Sequence, residues 1–297
     1  MSKSAILSSS IAKKWWMALT GLFLCLFLVG HLLGNLQLIF IHGEEGKRAF
    51  NEYAYFMTHN PLIKIMSYIT YLSILFHVID GFLLTFQNKK ARPVNYVYNK
   101  PNTNSTLPSR YMAILGTVVL VFIATHMANF WWKMKFSSEP FPMHKTFVTD
   151  PGSGQEQAFL VTHGGQYLPA TILEGTPGAL PEMILKNGTE IYNRELNIKM
   201  AEGYKDLHSL VFAFFGHDKS KEASLPANEY AMFAVLGYFL AMMILAFHLF
   251  HGFSSAFQTL GINHPKYNGI IKKSGLAFAL LVPFAFASIP VLIYMWR

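Results

Sequence analysis

Five long apolar runs, separated by polar segments, set the frame of this chain. They cover residues 15–40, 62–86, 111–132, 230–257 and 274–296, and each reaches the ~20 helical residues that a bilayer core requires. Trp15 and Trp16 open the first, Trp131 and Trp132 close the third and Trp296 ends the fifth, as aromatic anchors at a lipid interface do. Pro283 and Pro290 lie inside the fifth run and predict a kink there. The first run follows Lys13 and Lys14 but is long for a signal-peptide core, and no small-residue cleavage site stands out. It is therefore read as a retained span. The pattern predicts an all-α integral membrane bundle with five transmembrane helices, a single membrane domain over residues 1–297.

One polar segment is far longer than a connection needs. Residues 133–229 form an insertion between spans three and four, rich in Gly, Pro and polar residues up to about residue 188, which predicts a small irregular or β-rich structure. Within it, residues 204–215, YKDLHSLVFAFF, pass from charged to apolar. They predict a short helix lying on the membrane surface or covering the end of the bundle.

Composition agrees with a membrane class, since only 13% of residues are charged and 52% are hydrophobic. The net charge of +8 does not point to nucleic acid, because the basic residues flank apolar runs instead of covering a soluble domain. Their distribution sets an expected orientation. Residues 1–16, 87–110 and 258–273 hold 11 Lys and Arg and no Asp or Glu, whereas 42–61 and 133–229 hold 11 basic and 15 acidic residues. The positive-inside rule then places the N-terminus in the cytoplasm, and the insertion and C-terminus outside. The remaining carboxylate, Asp80, falls within the second span. The single cysteine, Cys25, is in an apolar run and is expected to be a small buried hydrophobe.

Candidate chemistry enters with the histidines. LFHVIDGFLLTFQ at 75–87 returns as AFHLFHGFSSAFQ at 246–258, with Phe76, His77, Gly81, Phe82, Phe86 and Gln87 repeated in register. An ionisable side chain inside a bilayer is costly and marks a functional site. His31 and His126 are displaced toward the outer ends of spans one and three, and His77 and His248 toward the cytoplasmic ends of spans two and four. Each level thus receives one histidine from each of two helices, and the levels lie roughly 10–15 Å apart at a rise of about 1.5 Å per residue. Paired imidazoles across a bundle core suit the two axial positions of a low-spin haem. Zinc fits less well, since it takes three or four ligands. Gly81 and Gly252, four residues after the inner histidines, and Gly34 after His31 are read as room for a large ring near the backbone. The repeat assigns His248 over His251 to the inner pair. His42, His59, His144, His163, His208, His217 and His264 fall in loops or at their edges and are expected at the surface.

These residues resemble a known family, the diheme cytochrome b membrane-anchor subunit of succinate dehydrogenases and menaquinol:fumarate reductases, in the type with one large five-span subunit. The resemblance rests on KKWWMALTGLFLCLFLVGHLLGN (13–35), FHVIDGFLLTFQNKKAR (76–92), THMANFWW (125–132) and FHLFHGFSSAFQTLG (247–261), and covers the spans and cytoplasmic loops. It implies two b-type haems, with His77 and His248 ligating the proximal, cytoplasm-side haem and His31 and His126 the distal one. It also implies a bacterial-type cytoplasmic membrane, electron exchange with quinone, usually menaquinone, near the distal haem, and docking of an iron–sulfur subunit and a flavoprotein subunit on the cytoplasmic side. The chain itself would hold no dicarboxylate site. The long insertion departs from shorter family members. Asn35, Gln37 and Asn129, near the outer ends of the distal-haem spans, and Glu52, in the following outer loop, are quinone-site candidates, with Glu52 placed to accept a proton. Rival readings are the cytochrome b anchor of another quinone-linked enzyme, a hydrogenase or formate dehydrogenase, and a transporter using its histidines for protons or metal. No pair of Gly/Pro-broken helices supports the transporter.

Overall fold

A computed structural model describes residues 9–94, 98, 100, 103, 105–136, 141–174, 180–217 and 225–296. The first eight residues of the N-terminal flank, parts of the basic loop at 95–104 and the Gly/Pro stretch at 175–179 lie outside the described residues. The helices are α1 (Ser10–Phe40), α2 (Gly43–His59), α3 (Pro61–Lys90), α4 (Met112–Met127), α5 (Leu207–Phe214), α6 (Ala231–Thr259) and α7 (Pro265–Met295), with single helical turns at Leu107–Arg110, Lys133–Phe136 and Thr171–Glu174. Among the described residues, five helices are long and apolar enough to cross a membrane: α1, α3, α6, α7 and α4 with its continuation to Phe136. Each is apolar around most of its circumference, so neither helical propensity nor a single buried stripe accounts for it. A helix of this kind is at home in hydrocarbon, where all its backbone groups are satisfied within the segment.

The spans exceed the apolar runs by up to several residues at their ends. α7 begins at Pro265, ahead of Lys266, Lys272 and Lys273, because the backbone hydrogen-bond ladder continues into water where long basic side chains are solvated. Its helical assignment runs unbroken through Pro283 and Pro290. Each proline removes the amide that would bond the carbonyl four residues before it, at Ala279 and Phe286; separately, the Ser288 hydroxyl donates to the Ala285 carbonyl at 2.8 Å.

The chain divides into two compact units. The first comprises Met1–Leu33, Pro61–Ala124 and Gly237–Ser288. Its core joins Cys25 of α1, Ala241, Met242, Leu245 and Leu249 of α6, and Ala279 and Ala287 of α7, flanked by Val119 and Phe122 of α4. Small residues let these helices approach, as membrane packing favours. A Cβ on Gly275 of α7 would lie 2.9 Å from the ring of Phe253 on α6. Outward-facing residues such as Leu26, Leu72, Ile79, Val121 and Leu240 are large, apolar and exposed, which makes lipid the natural solvent of these faces.

The second unit comprises Gly34–Asn60, Thr125–Leu236 and Ile289–Arg297. Here the insertion forms two three-stranded antiparallel sheets: β1 (Lys145–Thr149), β2 (Glu156–Val161) and β3 (Tyr167–Pro169), then β4 (Met183–Lys186), β5 (Glu190–Asn193) and β6 (Lys199–Glu202). Asn187 and Gly188, both at positive φ, turn β4 into β5, the dipeptide such hairpins favour. Met143, Leu160, Ala170 and Ile191 close a core between strands. The polar segment after span one is a helix, not a loop: α2 buries Gly46, Lys47, Phe50 and Asn51 along one face.

The expected short helix is present as α5, but it does not lie on a surface. His208, Ser209, Leu210, Val211, Phe212 and Ala213 are all buried. The reason is Asp206, which caps α5 by accepting from the Ser209 amide at 3.1 Å and forms a buried ion pair with Lys47 of α2, Nζ to Oδ2 3.2 Å. Asn51 donates to the other carboxylate oxygen at 3.0 Å. The charges that suggested a solvated face are instead a partnered polar core. The same packing buries His144 and His208, which sequence placed at the surface.

Candidate functional site

The repeated histidines come together in the first unit. His77 sits in the C-terminal half of α3 and His248 in that of α6, and their ring centres are 6.2 Å apart with planes inclined by 68°. Both rings are partly buried. His251, three residues from His248, turns to its own helix and meets Ser255 Oγ at 3.2 Å. The partner of His77 is therefore His248.

Two other helices complete the surroundings. Thr20 of α1, 7% exposed, places its Oγ1 3.3 Å from His77 Nδ1. The adjacent Gly21 brings bare backbone against the same ring, since a Cβ there would lie 3.2 Å from His77 Cε1. On the far side, a Cβ on Gly116 of α4 would lie 3.5 Å from His248 Cε1. His248 Nδ1 is buried with no hydrogen-bond partner among the described residues. Gly81 and Gly252, expected to leave room for a large ring, border open space in the chain. A Cβ on Gly81 would meet only Met17 Cε at 3.9 Å and one on Gly252 would meet nothing within 4 Å. The imidazoles themselves sit against two further glycines, Gly21 and Gly116 on facing helices, which lie outside the repeat.

At Gly34 the space is filled by Tyr53. A Cβ there would lie 2.5 Å from the Tyr53 hydroxyl oxygen, so its missing side chain lets α2 pack on the end of α1. His31, in the first unit, stacks on Phe27 at 5.4 Å and lies 5.6 Å from Phe286. His126, in the second unit, lies 5.3 Å from Phe130 at the end of α4. There the helix widens into a π-turn over Ala128–Trp132, a feature that recurs at functional sites.

The remaining candidates belong to the second unit. Asn129 is part of that π-turn, Asn35 is half-buried near the end of α1, and the Gln37 amide donates to the Gly34 carbonyl at 3.3 Å. Glu52 is on α2, with its Oε1 accepting from Arg48 Nε at 2.7 Å. It lines a cleft of about 360 Å³ with Tyr55, His59, His163 and Tyr204. Burial and the neighbouring Glu202 push the Tyr55 phenol up to about 12, so its hydroxyl stays protonated and donates to Glu202 at 3.0 Å.

Among the described residues no three or more His, Cys, Asp and Glu side chains are grouped as metal ligands. The donor set at this level is two imidazoles. Two nitrogens bound end-on to one metal, at about 2 Å each and with each ring centre about 1 Å behind its nitrogen, require centres on the order of 6 Å apart, which the observed pair satisfies. Two facing imidazoles at this separation, each seated against a glycine, fit a metal whose other ligands come from a macrocycle. No protein-family model, curated protein or solved structure matches the chain.

Proposed function

We propose that this protein is a diheme cytochrome b that anchors a succinate dehydrogenase or fumarate reductase to the membrane and passes electrons between quinone and an iron–sulfur subunit. The observation that carries the proposal is the facing pair His77 and His248, held inside a helical membrane protein and backed by Gly21 and Gly116. In this reading they hold the proximal haem and His31 with His126 the distal one. The orientation is the one the basic loops predict, with the iron–sulfur and flavoprotein subunits docking on the cytoplasmic side of a bacterial-type membrane, and menaquinone is the favoured quinone.

A bound haem supplies a one-electron carrier. The protein's own part is to present imidazole nitrogens at a fixed separation, to exclude water with the apolar residues of α1, α6 and α7, and to keep the two levels on separate helix pairs. An ultraviolet–visible spectrum of the purified chain tests this. Two reducible low-spin haems per polypeptide are expected, and a folded, active but haem-free protein overturns the proposal. Identification of co-purifying subunits separates a dicarboxylate enzyme from a hydrogenase or formate dehydrogenase.

A further inference from the structure

We infer that Thr20 is a positioning residue for the proximal site: its hydroxyl oxygen accepts the Nδ1 proton of His77 and so presents the Nε2 lone pair as the ligand nitrogen, an arrangement His248 does not share. The inference rests on the proposed role of His77 in binding haem.

The argument is one of donors and acceptors. The Thr20 hydroxyl has a single hydrogen and lies 2.8 Å from the Trp16 carbonyl and 3.2 Å from that of Met17. Carbonyl oxygens only accept, and the Trp16 carbonyl at 2.8 Å is a nearer acceptor for that hydrogen than His77 Nδ1 at 3.3 Å. What remains toward His77 is a lone pair, and the 3.3 Å contact with Nδ1 is favourable only when that nitrogen carries the proton. Neutral imidazole then has its free lone pair on Nε2. Gly21 presses on Cε1, the atom between the two nitrogens, at 3.2 Å for a Cβ built there. The Met17 carbonyl also accepts from His77 and favours the same tautomer, so Thr20 and Met17 together set the tautomer while Gly21 limits the rotation. His248 Nδ1 has no such acceptor among the described residues.

The consequence is an asymmetric pair. A ligand imidazole whose distal N–H is hydrogen-bonded is the more basic donor and favours the oxidised metal. Without the bond the midpoint potential rises, and loss of such a hydrogen bond to a ligand typically weakens metal retention about 10- to 100-fold.

The test uses the full chain purified with its haems. Thr20→Val keeps the shape and removes the hydroxyl, while Thr20→Ser keeps the hydroxyl. In redox titration and electron paramagnetic resonance, T20V should raise the potential and shift the low-spin signal of one haem only, or release that haem alone. T20S should behave as the parent. If T20V and T20S behave alike, whether both resemble the parent or both lose the haem, the inference fails while the proposed function stands. A parent chain that binds no haem defeats the proposed function itself.

Discussion

Gly21 of α1 and His77 of α3 are in such close apposition that a methyl group in place of the glycine hydrogen would lie 3.2 Å from His77 Cε1. Gly30, on the same helix, would bring a Cβ within 4 Å of nothing. Overpacking a tight contact costs about 1–3 kcal/mol, and here the strain falls on the orientation of one imidazole. Gly21→Val should therefore diminish or shift the absorption of one haem, whereas Gly30→Ala should leave the spectrum unchanged. Haem content per polypeptide and the reduced-minus-oxidised spectrum are the measurements.

The proposed function also predicts that the two histidine pairs serve independent haems. His77→Ala or His248→Ala should reduce haem content from two per chain to one, and His31→Ala or His126→Ala should remove the other. Haemochrome quantification against protein reads this directly. Loss of both haems from each of the four variants, with the protein still assembled, would argue that the histidines do not serve separate sites.

A third expectation concerns the second unit. Lys47 and Asp206 are 1% and 0% exposed at their side chains and 3.2 Å apart, and Lys47 also donates to the Lys145 carbonyl at 2.8 Å. Removing one partner strands a buried charge, which typically costs about 3–5 kcal/mol, while replacing both by apolar residues is far milder. Lys47→Met and Asp206→Leu should each lower the thermal midpoint markedly. The double variant should recover most of the loss. Equal losses in the single and double variants would mean that the pair is not coupled.

How much of this was legible in the sequence divides along a physical line. The spans were readable because lipid imposes a composition over about 20 residues, and the pairing of His77 with His248 because a repeat marked both. Thr20, Gly21 and Gly116 carry no such mark, since their role comes from a facing helix and not from their neighbours in the chain. The second unit was hidden for a related reason. Lys47, Asn51 and Asp206 look like solvated loop residues one by one, and become a core only when α2 meets α5 across 155 positions of sequence. Only the helical spacing of Gly46, Lys47, Phe50 and Asn51 on one face of α2 was there to be found, and a buried lysine conceals it.

The Asp206 carboxyl gives the last expectation, in its dependence on pH. Burial alone would raise it, but Lys47 and the hydrogen bonds from Asn51 and Ser209 outweigh burial and hold it below its ordinary value of 3.8. A carboxyl depressed in the folded state adds stability that is present above 3.8 and is lost as pH falls through the folded value. In Lys47→Met the main attraction is gone and burial dominates, so the sign reverses. The carboxyl then rises above its ordinary value, and protonation relieves the stranded charge as the solution is acidified. The gap in thermal midpoint between the parent and K47M should therefore narrow between neutral pH and pH about 4. The Asp206→Asn variant, which has no carboxyl to protonate, should not show that convergence toward the parent from the same cause. Midpoints measured across this range for the parent, K47M and D206N decide the matter, and a gap for K47M that stays constant with pH would show that Lys47 does not set the charge state of Asp206.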